Sequence, residues 1–381
     1  MQFPKWPYYS EDEIEDVGEV LRSGRVNYWT GENCRQLEQA FGAYLAVDYS
    51  IVLANGTLAL DNALYALSIE AGDEVIIPCR TFIASASCIA LRGGVPVLAD
   101  VDLASQNISL KHIEKVVTKK TKGIIVVHLG GMPCDMDPIL DFAKKHKLWI
   151  IEDCAQSLGA QYKGSYVGTL GDIGTFSFCQ DKIISTGGEG GLVVTNDKLL
   201  YDKMWSYKDH GKNYELMRNI SYNSFDYQWV YDTFGSNYRM TEMQAVIGRS
   251  QLKKLPSWLK QRRLNASVYN EYIDNIPQLH RTTFNQDYKH SYYKYYIFAQ
   301  SYDIQRYLLM HLNKIGIQAN LGICPDLSKE NVFKKCMEYN RFFNAEVLGQ
   351  TAIALPVYPT LNEEHIHFIG MQLAQLMKDV K

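Results

Sequence analysis

GIIVVHLGGMPCDMDPILDFAKKHKLWIIED, residues 123–153, has two short apolar runs on either side of a helix-like segment. Near-continuous runs of this kind are typical of strands buried on both faces, and a connection of this length allows a helical crossover between parallel strands. The same rhythm extends outward, through SIVL, EVIIP and PVLAD before this stretch and IGTFSF and GLVVTND after it. We therefore predict an α/β fold with a mostly parallel seven-stranded sheet that helices cover on both faces.

Two later segments depart from this rhythm. GLVVTND (191–197) follows the preceding strand too closely for a helical crossover, so we expect it to pair antiparallel or to lie at an edge. Beyond about residue 250 the pattern predicts a long helix with a break at Pro256, followed by the tyrosine-rich SYYKYYIF (291–298). The sequence thus predicts a large domain over residues 1–250 and a smaller α+β domain over 251–381.

Composition excludes several classes of partner. The 381 residues carry a net charge of −3, which gives no electrostatic case for nucleic acid or an anionic membrane surface. We see no secretory signal and no apolar run of membrane-spanning length. The eight cysteines are scattered and contain no Cys-x-x-Cys pair, as expected for reduced thiols. We therefore expect a cytoplasmic protein whose partners are small molecules or other protein chains.

The residues that follow the predicted strands are the candidates for chemistry, because ligands bind at the carboxyl ends of parallel strands. Gly56 and Thr57 begin a helix after SIVL, where backbone N–H groups and a hydroxyl suit a phosphate; a simple helix cap is the alternative. Phe82 follows EVIIP and is either a ring that stacks on a flat ligand or a core aromatic.

Two further strand ends carry charged residues. Asp153 ends LWIIED, and a buried carboxylate needs a cationic partner, supplied by a ligand or by a structural ion pair. Gln156 lies one helical turn further on and offers both a donor and an acceptor. Lys182 follows IGTFSF, and a lysine amine shielded from water is a nucleophile toward an aldehyde.

One ligand requires all of these groups together. Pyridoxal 5′-phosphate (PLP) has an aldehyde for a lysine, a ring nitrogen for a carboxylate, and a phosphate for N–H and hydroxyl donors. The competing phosphate motifs fit less well, because GxxxxGK[ST] is absent and GTLGDIG (168–174) is not GxGxxG. His365 and His367 have no third ligand nearby in the sequence, so we predict no metal site.

With these residues in view, the chain resembles the DegT/DnrJ/EryC1/StrS family of sugar aminotransferases, which have the fold type I architecture of aspartate aminotransferase. The likeness runs essentially from end to end. The motifs that carry it are ANGTLAL (54–60), PCRTFIAS (78–85), IEDCAQSLGA (151–160), FSFCQDKIISTGGEGG (176–191), NYRMTEMQAVIG (237–248) and LPVYPTLNEEHI (355–366).

The resemblance implies a role for each matching residue. Lys182 bonds to the cofactor aldehyde and transfers protons, and Asp153 pairs with the ring nitrogen. The other implied cofactor contacts are Gln156 near the ring hydroxyl, Phe82 stacked on the ring, and Gly56, Thr57 and Ser177 at the phosphate. Asn237 is implied to reach the phosphate in a neighbouring subunit, so a homodimer is expected.

The resemblance also implies the reaction, the transfer of an amino group from L-glutamate to C4 of a nucleotide-linked 4-keto-6-deoxyhexose for surface-glycan or O-antigen synthesis. The expected conversion is dTDP-4-keto-6-deoxy-D-glucose to dTDP-4-amino-4,6-dideoxy-D-glucose. Amination at C3 and a GDP or UDP carrier are alternatives, as is a non-catalytic PLP-binding regulatory protein. A related branch of dehydratases has histidine at the position of Lys182, so the lysine favours transamination.

We expect irregular and aromatic segments of the chain to contact the sugar nucleotide and so to select the substrate. Tyr28, Trp29, His210 and Lys212 are the candidate sugar-nucleotide contacts, with surface packing as the alternative. The segment Cys179-Gln180-Asp181 and the additional glycine in TGGEGG depart from the commoner family sequences. We expect these departures to bear on which sugar is bound.

Overall fold

The computed structural model describes residues 1–218, 229–323, 325–334 and 342–378. Its α-helices are α1 (Glu11–Ser23), α2 (Asn33–Leu45), α3 (Gly56–Ala66), α4 (Ala84–Leu91), α5 (Leu110–Ile113), α6 (Met136–His146), α7 (Lys198–Lys208), α8 (Tyr214–Arg218), α9 (Glu242–Ile273), α10 (Tyr302–Lys314), α11 (Asn331–Lys334), α12 (Phe343–Thr351) and α13 (Glu363–Lys378). Its strands are β1 (Tyr49–Leu53), β2 (Glu74–Pro78), β3 (Val95–Ala99), β4 (Thr121–Val127), β5 (Trp149–Asp153), β6 (Gln161–Tyr162), β7 (Ser165–Tyr166), β8 (Ile173–Ser177), β9 (Gly191–Thr195), β10 (Leu279–Arg281), β11 (Tyr288–Lys289), β12 (Tyr295–Ala299) and β13 (Ala352–Leu355). Short 3₁₀ turns occur at Leu129–Gly131 and Leu327–Lys329.

The central sheet has seven strands in the order β1-β9-β8-β5-β4-β2-β3. The strands from β8 to β3 in this order are parallel, whereas β9 pairs antiparallel with both β1 and β8. The predicted mostly parallel seven-stranded sheet is confirmed, as is the antiparallel pairing of GLVVTND. The edges of the sheet are β1 and β3.

Both faces of the central sheet are buried, because successive side chains of each strand enter different hydrophobic clusters. In β4, Ile124 and Val126 pack in one cluster, and Ile125 and Val127 pack in the other. Alternate side chains of a strand point to opposite faces, so a sheet with helices on both sides needs apolar residues at every position. This requirement explains the near-continuous apolar runs of the sequence.

A second sheet, β10-β12-β13, is antiparallel and packs with α10, α13 and the later part of α9 around a third cluster. The expected helix break at Pro256 is wrong, because α9 is continuous from Glu242 to Ile273. Pro256 lies on the exposed face of the helix, where its ring displaces no core side chain. The helix also runs through residue 250, and the domain boundary there stays a prediction.

Two further features of the described chain concern its surroundings. None of its helices combines the length with the apolar character that crossing a bilayer requires. The cysteines in the described ranges are free thiols at residues 34, 79, 88, 134, 154 and 179.

Candidate active site

A cavity of about 1090 Å³ opens at the carboxyl ends of the central strands. It is bounded by the segments that follow β1, β2, β5 and β8, and on its far side by residues around β12. The structure brings together seven of the candidate residues in its lining: Gly56, Thr57, Phe82, Asp153, Gln156, Ser177 and Lys182. Residues that are distant in sequence thus form one site, as the parallel-sheet argument predicts.

One end of the cavity is suited to an anion. Asn55 caps α3 by accepting a hydrogen bond from the Leu58 N–H at 2.9 Å, and Gly56 and Thr57 form the first turn of the helix. A Cβ atom on Gly56 would lie only 2.6 Å from the Cβ of Ser177. Glycine is therefore required for the close approach that sets a serine hydroxyl beside the N-terminus of this helix, where backbone N–H groups bind phosphate.

The carboxylate of Asp153 lies at the end of β5 and is 5% exposed. It accepts hydrogen bonds from the Ala155 N–H and the Ser85 hydroxyl, each at 3.1 Å. Burial raises the pKa of Asp153 by more than these hydrogen bonds and the charge of Lys182 lower it. In the described ranges Asp153 has no ion pair with a lysine or arginine, so a cationic ligand nitrogen would supply a partner that the chain does not.

Gln156 and Phe82 form the flanks of the cavity beside Asp153. The Oε1 atom of Gln156 accepts a hydrogen bond from the Gly130 N–H at 2.9 Å, which orients a side chain that is itself buried. The Phe82 side chain is 58% exposed although it lies in the lining. A large ring held open to a cavity fits a stacking surface for a flat ligand better than a core aromatic.

The Lys182 side chain lies in the lining of the cavity. Its backbone is held by a hydrogen bond from the Lys182 N–H to the Cys179 carbonyl at 3.0 Å, and its own carbonyl accepts one from the Trp6 indole at 3.1 Å. The side chain is only 18% exposed. Its Nζ donates a hydrogen bond to the Tyr293 hydroxyl at 3.4 Å. Partial burial of the amine agrees with its predicted use as a nucleophile.

Glu152, the neighbour of Asp153, belongs to the opposite face of the sheet and was not assigned a role from the sequence. Its Oε1 accepts hydrogen bonds from the Leu170 and Gly171 N–H groups at 2.7 Å, and its Oε2 accepts one from the Gly168 N–H at 2.8 Å. His128 Nε2 lies 3.0 Å from the same Oε2. Successive side chains of a strand point to opposite faces of the sheet, so Glu152 anchors a loop on one face and Asp153 faces the cavity on the other.

His128, Glu152 and Cys154 are close enough to be considered as metal ligands. However, His128 Nδ1 accepts a hydrogen bond from the Cys134 N–H at 2.9 Å. The ring hydrogen must therefore sit on Nε2, from which it is donated to Glu152. Because neither ring nitrogen has a free lone pair, hydrogen bonding accounts for this group and we assign it no metal.

Other residues of the lining were missed in the sequence. Tyr293, Lys294 and Tyr296 come from the tyrosine-rich segment of the second sheet, and Asp181 precedes Lys182. Asp181 was noted only as a departure from the family sequence. The tyrosines were visible as an unusual cluster, but nothing in local sequence indicates which central strand they face.

The four candidate substrate contacts lie apart from the cavity lining of their own protomer. Tyr28 is buried and donates a hydrogen bond to Glu38 at 3.2 Å, while the Nζ of Lys208 lies 3.7 Å from its ring centroid. These contacts place Tyr28 in the interior of the protomer, and its role as a substrate contact stays a prediction. Lys212 Nζ lies 4.3 Å from the ring centroid of Trp29, so these two candidates contact each other.

His210 and Asn237 lie on one exposed surface. Asp209 and Asn237 form an antiparallel bridge, which brings the segment containing His210 beside the one containing Asn237. Both side chains are exposed, and neither lines the cavity of its own protomer. The contact of Asn237 with a cofactor in a neighbouring subunit stays a prediction.

The residues present fit PLP. The N-terminal turn of α3 with Ser177 suits the phosphate, and the Phe82 ring suits the pyridine face. Asp153 is a buried carboxylate that has no ion pair with a lysine or arginine among the described residues. Lys182 supplies an amine in the same cavity. These are the four groups that this cofactor requires.

Comparison with known proteins agrees with this fit. The model of the DegT/DnrJ/EryC1/StrS aminotransferase family matches residues 7–374. GDP-perosamine synthase of Escherichia coli O157:H7 is 37% identical over 98% of both chains, and that of Vibrio cholerae is 35% identical over 94% of this chain and 95% of its own. The crystal structure of an aminotransferase from Psychrobacter cryohalolentis is similar with a TM-score of 0.95 and 43% identity, over 100% of both chains. The chain belongs to the DegT/DnrJ/EryC1/StrS aminotransferase family and is a PLP-dependent sugar aminotransferase.

Proposed function

We propose that the protein transfers an amino group from L-glutamate to C4 of a GDP-linked 4-keto-6-deoxyhexose. The GDP carrier replaces the dTDP carrier expected from the sequence, because two relatives matched over almost their whole length are GDP-perosamine synthases. Amination at C3 and a dTDP or UDP carrier are the alternatives. The product would serve surface-glycan synthesis, and the free thiols of the described cysteines support the predicted cytoplasmic location.

The observation that carries the proposal is that one cavity joins Lys182, Asp153 and the N-terminal turn of α3. Its volume of about 1090 Å³ is just above the roughly 300–1,000 Å³ usual for small-molecule sites. There is thus space for a sugar nucleotide beside the cofactor. An open approach to the Lys182 amine is what a transfer reaction needs.

Different residues of the chain have different roles in the proposed reaction. When bound, PLP supplies an electron sink for the carbon that gains or loses the amino group. Asp153 holds a proton on the ring nitrogen, since its buried carboxylate gains a charged partner there. Lys182 carries a proton to and from the reacting carbon as general acid and base. The N–H groups of Gly56 and Thr57 anchor the phosphate and so fix the distance to Lys182.

The proposed assembly is a homodimer with a site completed by the neighbouring subunit. Asn237 is exposed and lies outside its own cavity, and aromatic side chains nearby are also exposed: Trp229 by 84%, Tyr231 by 56% and Phe234 by 97%. Large aromatic side chains that are exposed so close together in the sequence are typical of a protein interface. The same contact would carry His210 toward the neighbour's cavity, which keeps His210 as a candidate substrate contact.

The test is to supply the PLP-loaded protein with L-glutamate and a panel of 4-keto-6-deoxyhexoses linked to GDP, dTDP or UDP. We expect the GDP-linked sugar to be converted with the highest kcat/KM, with product mass and NMR locating the new amine at C4. Lys182→Ala is the matched control and should abolish conversion. A preferred dTDP or UDP sugar, or an amine at C3, would overturn the proposal, and PLP binding without conversion of any sugar would favour the regulatory alternative.

A further inference from the structure

Three side chains to which the proposed reaction gives no role surround the Lys182 amine: Asp181, Tyr293 and Lys294, here called the amine cluster. Lys182 Nζ is 3.5 Å from Asp181 Oδ1 and donates a hydrogen bond to the Tyr293 hydroxyl at 3.4 Å. The Tyr293 hydroxyl donates in turn to Asp181 Oδ2, and Lys294 Nζ lies 4.0 Å from that same oxygen. Each oxygen of Asp181 therefore faces a different lysine.

The backbone keeps Asp181 within reach of the Lys182 amine. Neighbouring side chains of a strand point to opposite faces, but the chain turns after β8, with the Lys182 N–H donating to the Cys179 carbonyl. The turn directs both side chains into one cavity. The Trp6 indole also holds the Lys182 carbonyl, so the backbone at Lys182 is fixed on both sides and rotation of the side chain alone is enough to move the amine.

The charges of the amine cluster suit two positions of this amine. Burial acts to raise the pKa of Asp181, but the charges of Lys182 and Lys294 and the hydrogen bond from Tyr293 lower it by a larger amount. The pKa of Asp181 therefore lies below its ordinary value, and Asp181 is an anion at neutral pH. When Lys182 bonds to the cofactor, the positive charge of its amine moves away from Asp181 Oδ1. Lys294, beside Oδ2, still balances the negative charge of Asp181. Two charged groups outside the amine cluster also act on its lysines. The positive charge of Arg262 lowers the pKa of Lys294, and the Asp153 carboxylate interacts electrostatically with Lys182.

We propose that the amine cluster is the holding position of the Lys182 amine whenever that amine is not bonded to the cofactor. Asp181 binds the amine, Tyr293 orients it, and Lys294 balances Asp181 after the amine has left. The inference rests on the proposed role of Lys182 as the cofactor's lysine. Asp181 is then a positioning residue, and the departure Cys179-Gln180-Asp181 gains a function in placing the lysine rather than in selecting the sugar.

The amine cluster can be tested by the rate at which an amine-acylating reagent modifies Lys182 in enzyme loaded with pyridoxamine 5′-phosphate, where this lysine is unbonded. Peptide mass spectrometry would give the rate relative to the exposed Lys260 in the same digest. Asp181→Asn should raise the relative rate about five- to tenfold, the change expected from removing a carboxylate from beside a partly solvated ammonium. Asp181→Glu should restore a rate close to that of the natural protein.

Two further variants separate a holding position from general loosening of the site. Lys294→Met should lower the relative rate, by about two- to fourfold, because Asp181 then has Lys182 as its single cation. Tyr293→Phe should modestly raise the relative acylation rate of Lys182. This variant replaces Asp181→Asn in the test if the Asp181→Asn protein does not fold. Equal rates in the Asp181→Asn variant and the natural protein, or changes of the same sign in Asp181→Asn and Lys294→Met, would overturn the inference.

The proposed function has its own, separate readout. Borohydride reduction of the PLP-loaded protein fixes the cofactor to the residue that holds it, and peptide mapping then locates that residue. Cofactor on a residue other than Lys182 would refute the assignment of Lys182 itself. Cofactor on Lys182 together with unchanged acylation rates would refute the holding position alone.

Discussion

Glu152→Gln is the substitution for which the structure makes the sharpest prediction of stability. The two carboxylate oxygens together accept four hydrogen bonds, three from backbone N–H groups and one from the His128 ring. Glutamine has nearly the same shape but replaces one oxygen by an NH₂ group. In either orientation of the amide, two of the four donors then face another donor, inside a fully buried site.

The expected loss is large. A buried hydrogen bond to a charged acceptor contributes roughly 1.5–3 kcal/mol, so two lost bonds amount to about 3–6 kcal/mol before relaxation. Some relaxation of the Gly168–Gly171 loop leaves about 3 kcal/mol as the expected decrease in the free energy of unfolding. That decrease corresponds to a fall in Tm of about 4 °C for a chain of this size.

Thermal unfolding followed by circular dichroism measures this effect, with Glu271→Gln on the exposed face of α9 as the matched control. Burial acts to raise the pKa of Glu152, but His128 and the backbone donors bring it below its ordinary 4.5. The stabilisation is therefore complete above pH 4.5 and is lost as the pH falls through the lower folded-state value, so the two proteins should converge in acid. A Glu152→Gln protein whose Tm matches that of the control at neutral pH would refute the reasoning.

The remaining predictions concern the cofactor and the interface. Gly56→Ala forces Ser177 away from the helix N-terminus and should weaken PLP binding at least about tenfold in an absorbance titration, whereas Gly18→Ala in α1 should not. Phe82→Ala should also weaken PLP binding, by about 1 kcal/mol, with the Tm of the cofactor-free protein almost unchanged because the ring is already exposed. Phe234→Asp should shift the protein from dimer to monomer in analytical ultracentrifugation and lower activity with it; a monomeric natural protein would contradict this prediction.

Much of the site could be predicted because strand ends are readable from local sequence. Gly56, Thr57, Phe82, Asp153, Gln156, Ser177 and Lys182 each follow or end an apolar run, and the topology of a parallel sheet brings such positions to one edge. The amine cluster could not be predicted in this way. Tyr293 and Lys294 precede β12 in another sheet, and no local pattern records which distant loop they contact.

Differences between the sequence predictions and the packing of the chain have similar physical causes. The sequence predicts a break at Pro256, but α9 continues through this residue, which lies on the exposed face of the helix; which face is exposed is a tertiary property. Tyr28 was a candidate ligand contact because aromatic residues in irregular segments often bind ligands. Its burial against Lys208 depends on how the segment before α2 packs on the end of α7.

The sequence by itself determined the sheet, its two apolar faces and PLP as the cofactor, because periodicity and residue type act over short distances along the chain. Only the tertiary structure decided that Asp153 lacks an ionic partner in the described chain, that Glu152 anchors a loop, and that Asp181 lies between two lysines. Each of these depends on groups far apart in sequence, whose distances and burial are set by packing. Charge and hydrogen bonding act through those distances, so the roles of these residues follow from the folded chain.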